Sequence, residues 1–251
     1  MLIYSDKPQS ISAETYKSIR TNLKYVALDN SIKTIAITSS VPGEGKSTIV
    51  GNLGLCLGES GNRVLIIDCD LRKPKIHRKF KCSNKLGLTD VLINNDKLGE
   101  ALYEYNSRVT ILPAGSVPPN PAEILGSKTF ERFLRNVSID YDYVLLDTPP
   151  LLAVTDGRLI AAKTDGTILV VRYGKTKEKL VVRAYRELEL VKASVIGSIM
   201  NGCDIKSKDH YYSYYGKRNK FSRKKHKGNT NKIIEVDVES KDLDTVKSKA
   251  N

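Results

Sequence analysis

The most informative stretch of this chain of 251 residues reads Ser40-Val41-Pro42-Gly43-Glu44-Gly45-Lys46-Ser47-Thr48. A Gly-Lys-Ser ending is typical of a phosphate-binding loop, whose backbone N–H groups surround phosphate oxygens at the start of a helix. In such a loop Lys46 can reach the β- and γ-phosphates, and the Ser47 hydroxyl can coordinate Mg²⁺. We therefore predict that the chain binds a nucleotide with the residues of this loop, namely Gly43, Glu44, Gly45, Lys46, Ser47 and Thr48.

The sequence around the loop supports this prediction. Ser40 stands where the phosphate-binding motif usually has its first glycine, so the pattern alone also fits an ordinary glycine-rich turn. However, a β-rich apolar run over residues 34–38 precedes the loop, and residues 49–57 have the spacing of a closely packed helix. A strand before the loop and a helix after it are the context that the motif requires.

Two acidic segments follow other apolar runs. Asp68-Cys69-Asp70 comes directly after residues 64–67, and Asp147-Thr148-Pro149-Pro150 comes directly after residues 143–146. Because the carboxyl ends of parallel strands line one crevice, we expect both segments to share a site with the loop. Asp147 is then the expected second contact of Mg²⁺. Asp68 and Asp70 would repel each other unless a metal, a basic group or a proton relieved them, although each residue alone also suits a helix cap or a turn.

Strand-like and helix-like patterns alternate from residue 12 to about residue 201. We predict a helix over residues 12–28 with Ser12 as its N-cap. Further strands are predicted near residues 64–67, 108–112, 143–146, 167–171 and 195–200. This alternation predicts an α/β fold with a mostly parallel sheet flanked by helices, and the phosphate-binding loop makes that fold similar to the P-loop NTPases. No repeat or long linker divides it, so we predict one main domain over residues 1–216.

Charge and composition separate the end of the chain from this domain. The net charge is +13, and residues 206–232 contain ten Lys or Arg and a single Asp. A segment with so many charges and few apolar residues cannot offset the entropy lost on ordering, so residues 217–251 are predicted to be a charged, disordered tail. The four cysteines lack metal-binding spacing, and no apolar run approaches the roughly 18 residues of a membrane span. These features predict a cytoplasmic protein.

Immediately before this tail lies a tyrosine cluster, which we define as Tyr211, Tyr212, Tyr214 and Tyr215. Tyrosine usually occupies partly buried positions, so this density beside a cationic segment is unusual. An aromatic patch at a sheet edge is one interpretation, and nucleic-acid binding through stacking and basic side chains is another. Next to a predicted ATP site, a third interpretation is that the hydroxyl groups accept phosphoryl groups.

Together these motifs resemble those of one known family. The resemblance is carried by the loop from Pro42 to Ser47, the Asp147 segment, the tyrosine cluster, and the runs Asp68-Cys69-Asp70-Leu71-Arg72-Lys73-Pro74 and Glu14-Thr15-Tyr16-Lys17-Ser18-Ile19-Arg20-Thr21-Asn22. From about residue 8 to residue 216, the chain resembles the bacterial tyrosine kinases of capsule and exopolysaccharide synthesis. It is similar to the stand-alone cytoplasmic kinases that work with a separate membrane activator. These kinases are P-loop NTPases of the deviant Walker A subgroup.

The resemblance implies an ATP-dependent protein-tyrosine kinase, with ATP and Mg²⁺ as cofactors, that autophosphorylates the tyrosine cluster between subunits. Lys46 would stabilise the charge of the transferring phosphate, and Asn201 would border the adenine. The implied metal contacts are Ser47, Asp68, Asp70 and Asp147. Asp68, or alternatively Asp70, would accept the tyrosine proton, late in the transfer because a carboxylate of pKa about 3.9 is a poor base for a phenol of pKa about 10.

The same resemblance implies partners. In the family a helix with Glu-x-x-Arg-x-x-Arg assembles a homo-oligomeric ring, and the corresponding residues here are Glu14, Lys17 and Arg20. Lys17 keeps the charge of the first arginine but lacks its planar fork. A transmembrane activator, a polysaccharide co-polymerase, would act through its cytoplasmic segment and recruit the kinase to the inner face of the membrane. Further implied partners are a cognate tyrosine phosphatase and other phosphorylated enzymes of polysaccharide synthesis, and no specific nucleic acid is expected.

Two other classes of protein stay open from the residues. Division-site and DNA-partition switch ATPases share the deviant loop but carry a second lysine near its start, where this chain has Val41. The other class is a nucleotide-responsive interaction module, whose basic tail binds membrane lipids or nucleic acid. A protein kinase of the eukaryotic type is disfavoured because the chain contains neither an H-R-D nor a D-F-G motif.

Overall fold

The computed structural model describes residues 2–29, 31–94 and 97–203 of the chain. Within these residues, seven strands form one sheet. They are β1 (Thr34–Ser39), β2 (Val64–Asp68), β3 (Tyr103–Glu104), β4 (Val109–Leu112), β5 (Tyr143–Asp147), β6 (Gly166–Arg172) and β7 (Val195–Asn201). Their order across the sheet is β3-β4-β2-β5-β1-β6-β7, and every neighbouring pair is parallel except β3 with β4. The prediction of a mostly parallel sheet is confirmed.

Helices connect the strands and cover both faces of the sheet. They are α1 (Ile3–Asp6), α2 (Ile11–Asp29), α3 (Lys46–Glu59), α4 (Ile76–Phe80), α5 (Leu88–Ile93), α6 (Leu98–Ala101), α7 (Pro121–Gly126), α8 (Lys128–Asp140), α9 (Asp156–Ala161) and α10 (Glu178–Leu190). The helices predicted over residues 12–28 and 49–57 correspond to α2 and α3. Strand β3 is absent from the sequence prediction because two residues are too few to show an alternating pattern.

The predicted N-cap of α2 is wrong by two residues. The helix begins at Ile11, and Ser10 Oγ accepts a hydrogen bond from the backbone N–H of Ala13 at 3.2 Å. Ser12 therefore lies inside the first turn, with its side chain exposed. The two serines offer the same capping chemistry, so the local sequence did not distinguish them.

Alternate residues of the strands pack on opposite faces of the sheet. Ile35 and Ile37 of β1 lie in the apolar layer that contains the buried face of α3, whereas Ala36 lies in the layer that contains α8. Helix α3 approaches the sheet so closely that a Cβ atom at Gly54 would lie 2.5 Å from Ile66 Cδ1. This close packing holds α3 against β2 and β5.

The strand order places the three sequence motifs side by side. Strands β2, β5 and β1 are neighbours, and Asp68 at the end of β2 is in register with Asp147 at the end of β5. Asp147 is also in register with Ile37, near the end of β1. The prediction that the loop and the two acidic segments share one edge of the sheet is therefore confirmed.

The tyrosine cluster, the boundary after residue 216 and the tail over residues 217–251 lie outside the described residues. The predictions about them therefore stay predictions. Across the ranges that are described, no helix has both the length and the apolar composition needed to cross a membrane.

Candidate nucleotide-binding and active site

The phosphate-binding loop joins β1 to α3 through two glycines with positive φ. Gly43 has φ +87° and Gly45 has φ +99°, values that side chains with a Cβ atom rarely adopt. Gly45 is also in close contact with the end of β7, since a Cβ atom there would lie 2.1 Å from Asn201 Nδ2. Helix α3 starts directly after Gly45, where backbone N–H groups and the helix dipole favour a bound anion. The backbone therefore has the form that phosphate binding requires.

Lys46, the first residue of α3, is largely buried, with 8 % of its surface exposed. Its Nζ atom donates a hydrogen bond to Ser39 Oγ at the end of β1, at 3.0 Å. Burial lowers the pKa of Lys46, whereas the nearby carboxylates of Asp147 and Asp70 raise it. An ammonium group held in this way is suited to bind phosphate oxygens through charge-assisted hydrogen bonds.

Asp147 lies near this lysine with 1 % of its surface exposed, and neither of its carboxylate oxygens has a hydrogen-bond partner. Burial raises the pKa of Asp147 to about 6; the nearby Ser47 hydroxyl, which is not in hydrogen-bond geometry with the carboxylate, and the charge of Lys46 oppose this effect. Ser40 Oγ, in the loop after β1, is also buried without a partner. Because buried polar atoms in folded proteins are normally paired, these oxygens indicate a ligand site.

The oxygens at this edge fit Mg²⁺. In nucleotide sites this ion is usually bound by one or two carboxylates together with waters and phosphate oxygens. Asp147 supplies a carboxylate of this kind, and the Ser47 hydroxyl supplies a further oxygen ligand. In the part of the chain that the structure describes, no group of three or more His, Cys, Asp or Glu side chains is placed to hold a metal by itself. The residues therefore suit an ion that is bound together with a nucleotide.

The Asp68 side chain forms hydrogen bonds with the backbone of the segment that follows it. Its carboxylate is fully buried and accepts hydrogen bonds from the N–H groups of Asp70, Lys75 and Ile76 at 3.2, 2.8 and 2.9 Å. Burial and the charge of Asp147 raise the pKa of Asp68, and the N–H donors of Lys75 and Ile76 oppose them. Asp68 therefore holds the start of α4 at the end of β2.

Asp70 has more open surroundings. It is partly exposed, and its Oδ1 atom accepts a hydrogen bond from the backbone N–H of Lys73 at 3.1 Å. Burial raises the pKa of Asp70, whereas the bond from Lys73 and the charge of Lys46 lower it. Of the two carboxylates in this segment, Asp70 is the one that a substrate can approach.

The loop that carries Asp70 is held against α9 by an ion pair. Arg72 Nε and Nη2 donate to the two carboxylate oxygens of Asp156 at 2.8 and 3.2 Å. Asp156 is fully buried at the start of α9, and its hydrogen bond raises the pKa of Arg72. Because the contact is bidentate, it fixes the orientation of this loop relative to α9.

Glu44 and Asn201 connect the phosphate-binding loop to the ends of β6 and β7. The Glu44 side chain is buried, and its Oε2 atom accepts the backbone N–H of Val41 at 2.9 Å. Its Oε1 atom accepts the N–H of Arg172 at 3.2 Å and the hydroxyl of Thr176. Asn201 Nδ2 donates to the carbonyl oxygen of Glu44 at 2.8 Å. The charge of Glu44 is thus directed at neighbouring N–H and O–H donors.

Replacement of Glu44 with Ala is expected to weaken ADP binding about 10-fold and to lower the free energy of unfolding by about 1 to 3 kcal/mol, because three donors lose their acceptor. ADP affinity is measured by calorimetry and stability by urea denaturation. Thr176→Val removes only one of the three donors, so it should have a smaller effect on both quantities. If the carboxylate faced the phosphates instead, Glu44→Ala would bind ADP more tightly, and that result would contradict the arrangement described here.

The residues predicted to assemble a ring lie on α2. Glu14 and Lys17 form an exposed ion pair along the helix, with Nζ 2.7 Å from Oε1. Arg20 Nη1 donates to the carbonyl oxygen of Cys56 in α3 at 3.3 Å. Arg20 thus links α2 to the helix that follows the phosphate-binding loop, and the ring itself stays a prediction.

Sequence reasoning missed three contributors to the site: Ser39, Asp156 and Lys79. Each is recognised by a contact with a residue elsewhere in the chain, at separations of 7, 84 and 31 positions respectively. None of them belongs to a motif that local spacing could reveal. Their contribution depends on which strands and helices become neighbours.

This geometry defines a class of protein, the P-loop ATP-binding proteins, in which phosphate groups bind at the carboxyl edge of a parallel sheet. A family model described as an AAA domain matches residues 32–179, which extend from just before β1 into α10. The match therefore includes the phosphate-binding loop and both acidic segments.

Known proteins narrow the class further. The chain is 39 % identical over 224 residues to the tyrosine-protein kinase YwqD of Bacillus subtilis, covering 89 % of this chain and 94 % of that protein. It is 33 % identical to the putative tyrosine-protein kinase CapB of Staphylococcus aureus, covering 86 % and 95 % of the two chains. The kinase domain of the Escherichia coli tyrosine kinase ETK has the same fold, with a TM-score of 0.79, 29 % identity and coverage of 84 % and 83 %.

The chain belongs to the family of bacterial tyrosine-protein kinases, as the resemblance predicted. It is a protein-tyrosine kinase, a phosphotransferase that uses ATP. The alignments cover most of each relative as well as most of this chain. Because these relatives are named tyrosine-protein kinases, the similarity favours a kinase over a division-site or partition ATPase.

Proposed function

We propose that this kinase transfers the γ-phosphoryl group of ATP, with Mg²⁺, to the tyrosine cluster of a neighbouring subunit. We further propose that this reaction regulates the polymerisation or export of a capsular polysaccharide or exopolysaccharide. The observation that carries the proposal is the convergence of Lys46, Asp147 and Asp70 at one edge of the sheet. There the chain supplies a cation for phosphate, an oxygen ligand for a metal and an accessible carboxylate.

The proposed reaction is an in-line phosphoryl transfer. The phenol oxygen forms a bond to the γ-phosphorus, the bond from this phosphorus to the β–γ bridging oxygen breaks, and ADP leaves with the electron pair. Lys46 interacts with the β- and γ-phosphate oxygens as charge moves between them. Mg²⁺, held by Ser47 and Asp147 together with the phosphates, would supply electrostatic stabilisation. Asn201 would border the adenine.

We assign proton acceptance to Asp70 rather than to Asp68. The phenol can approach Asp70, which is partly exposed, whereas the oxygens of Asp68 are occupied by three backbone N–H groups. Even with its pKa raised by burial, Asp70 stays a much weaker base than a phenolate. The proton therefore moves after the new bond to phosphorus has begun to form. Asp70 would complete the metal surroundings through water, whereas the oxygens of Asp68, which was also predicted to do so, are committed to backbone N–H groups.

The length of the connection supports transfer between subunits. Tyr211 follows Asn201 by ten residues, which span at most about 36 Å when fully extended. Asn201 itself contacts the phosphate-binding loop, so the connection would have to fold back sharply to enter its own site. Each phosphate would add about −1.5 to −2 charges, and repulsion between subunits would then dissociate a ring assembled through Glu14, Lys17 and Arg20.

The proposed partners follow the family. A transmembrane polysaccharide co-polymerase would complete the active site with its cytoplasmic segment and recruit this cytoplasmic kinase to the inner face of the membrane. A cognate tyrosine phosphatase would remove the phosphates, and other enzymes of polysaccharide synthesis would be further substrates. The basic residues between positions 206 and 232 would favour an anionic membrane surface.

The test mixes two variants that each lack one half of the reaction. Lys46→Met provides an intact tyrosine cluster on an inactive kinase, and the other variant replaces Tyr211, Tyr212, Tyr214 and Tyr215 with Phe on an active kinase. With ATP, Mg²⁺ and the activator's cytoplasmic peptide, we expect phosphotyrosine on the Lys46→Met chain, in the cluster, at a rate that increases with protein concentration. Size tags and mass spectrometry identify the phosphorylated chain.

Two controls make this experiment decisive. The variant with four Phe residues should still phosphorylate an added tyrosine peptide, because its nucleotide site is unchanged. Wild-type protein alone should autophosphorylate in the cluster. If it does so while the Lys46→Met chain in the mixture stays unmodified, transfer is intramolecular and the proposal is wrong. ATP hydrolysis without phosphotyrosine under every condition would instead support a switch ATPase.

A further inference from the structure

Helix α4 brings one lysine to the first turn of α3. The carboxylate of Asp68 accepts hydrogen bonds from the N–H groups of Lys75 and Ile76, which fix the start of α4 at the end of β2. One turn later, Lys79 Nζ donates a hydrogen bond to Thr48 Oγ1 at 2.9 Å. Thr48 ends the phosphate-binding segment, so Lys79 reaches the nucleotide site from a different helix.

The ammonium group of Lys79 has no anionic partner in the described part of the chain. None of the ion pairs found there within 4.0 Å includes it. The side chain is half-buried, and burial lowers its pKa; Asp147 opposes this effect and Lys75 adds to it. A positive group that is withdrawn from water and bonded only to a hydroxyl lacks a compensating anion.

The position of this group indicates which anion it binds. In phosphate-binding loops, backbone N–H groups at the helix start surround the α- and β-phosphates, and the loop lysine, here Lys46, reaches the β- and γ-phosphates. Lys79 contacts the first turn of α3 at Thr48, the residue that follows Ser47, the proposed Mg²⁺ ligand. The second lysine that some related loops carry near their start is replaced here by Val41. Lys79 of α4 is a cation at the first turn of α3 in addition to Lys46.

We propose that Lys79 binds the α-phosphate of ATP and ADP, an inference that rests on nucleotide binding at the loop. The α-phosphate is not transferred, and its charge changes little between bound ATP and the transition state. Lys79 therefore determines nucleotide affinity and has little effect on the rate of phosphoryl transfer. Asp68 takes part indirectly, because it fixes the helix on which Lys79 stands.

The test measures the affinities of adenosine, AMP and ADP by competition with a fluorescent ADP analogue, at concentrations up to the millimolar range. It uses the full chain as wild type, Lys79→Gln, Lys79→Arg and Arg78→Gln. Glutamine can still donate to Thr48 Oγ1 but carries no charge. We expect Lys79→Gln to weaken AMP and ADP by the same factor, about 10-fold, and to leave adenosine unchanged. Lys79→Arg should keep most of the affinity. Arg78→Gln, the same loss of charge at an exposed position of α4, should match wild type.

Each of the other outcomes would overturn the proposal. A loss confined to ADP would assign Lys79 to the β-phosphate, and an equal loss for adenosine would show a purely structural effect. The proposal would also be contradicted if wild type and Lys79→Gln bound AMP with equal affinity. The same would hold if wild type bound AMP no more tightly than adenosine. Failure of every protein, including wild type, to bind ADP would contradict the nucleotide site itself and not the assignment of Lys79 alone.

Discussion

The Lys46→Met variant is expected to form phosphotyrosine about 10³-fold more slowly than the wild-type kinase. Methionine fills a similar volume in the buried pocket, but it removes the cation that stabilises the transferring phosphate. Burial strengthens this interaction, because only 8 % of the Lys46 surface is exposed and the local dielectric is low. The measurement is the initial rate of phosphotyrosine formation with ATP, Mg²⁺ and the activator's cytoplasmic peptide.

Lys128→Met is the matched control for this substitution. It makes the same change in charge at an exposed position of α8, and Lys128 is outside the proposed site. Its rate should equal that of wild type. A Lys46→Met protein that keeps a tenth or more of the wild-type rate would show that the loop lysine is not the main electrostatic group, and the proposed mechanism would be wrong.

The Asp147→Asn variant is expected to change activity and stability in opposite directions. Loss of the charged metal ligand should lower the phosphotransfer rate about 10²- to 10³-fold. In the absence of nucleotide, the same substitution removes a buried carboxylate whose two oxygens have no partner. Because burial raises the pKa of Asp147 to about 6, the folded state disfavours the ionised carboxylate, and the neutral amide should raise the free energy of unfolding at neutral pH by about 1 to 3 kcal/mol. Kinase assays over a range of Mg²⁺ concentrations and urea denaturation measure the two effects.

Asp165→Asn provides the comparison for Asp147→Asn. Asp165 Oδ2 accepts hydrogen bonds from the backbone N–H groups of Lys33 and Thr34, at the amino end of β1 and away from the proposed site. Its substitution should lower stability and leave the Mg²⁺ dependence unchanged. If Asp147→Asn were destabilised like Asp165→Asn and kept its Mg²⁺ dependence, Asp147 would be a structural residue and not a metal ligand.

Much of the fold was predictable because the sequence patterns that specify it each lie within a short stretch of the chain. An apolar run followed by Gly45-Lys46-Ser47 and a helical pattern indicates a strand, an anion-binding turn and a helix, and each signal lies within a few residues. The alternation of strands and helices favours a parallel sheet, and in such a sheet Asp68 and Asp147 must end at the same edge. The edge strand β3 was not predicted because two residues show no alternating pattern. The cap at Ser10 was not predicted because Ser12 offers the same hydroxyl group nearby.

The functions of the individual acidic residues did not follow from the motifs. The sequence offered no way to distinguish the functions of Asp68 and Asp70. In the structure the Asp68 carboxylate accepts hydrogen bonds from three backbone N–H groups, whereas the Asp70 carboxylate accepts one from Lys73 and is accessible. Glu44 looked like a phosphate-binding residue, but its side chain accepts from Val41, Arg172 and Thr176.

Amino-acid order alone was thus sufficient to predict the α/β class and the nucleotide loop, since local patterns and spacing encode them, and its resemblance to known kinases indicated the family. The tertiary arrangement determined which carboxylate is left unpaired, where Asn201 lies and which cation reaches Thr48. Buried polar groups pair with whatever donors and acceptors the packed strands and helices bring near, and these come from positions as far as 157 residues apart.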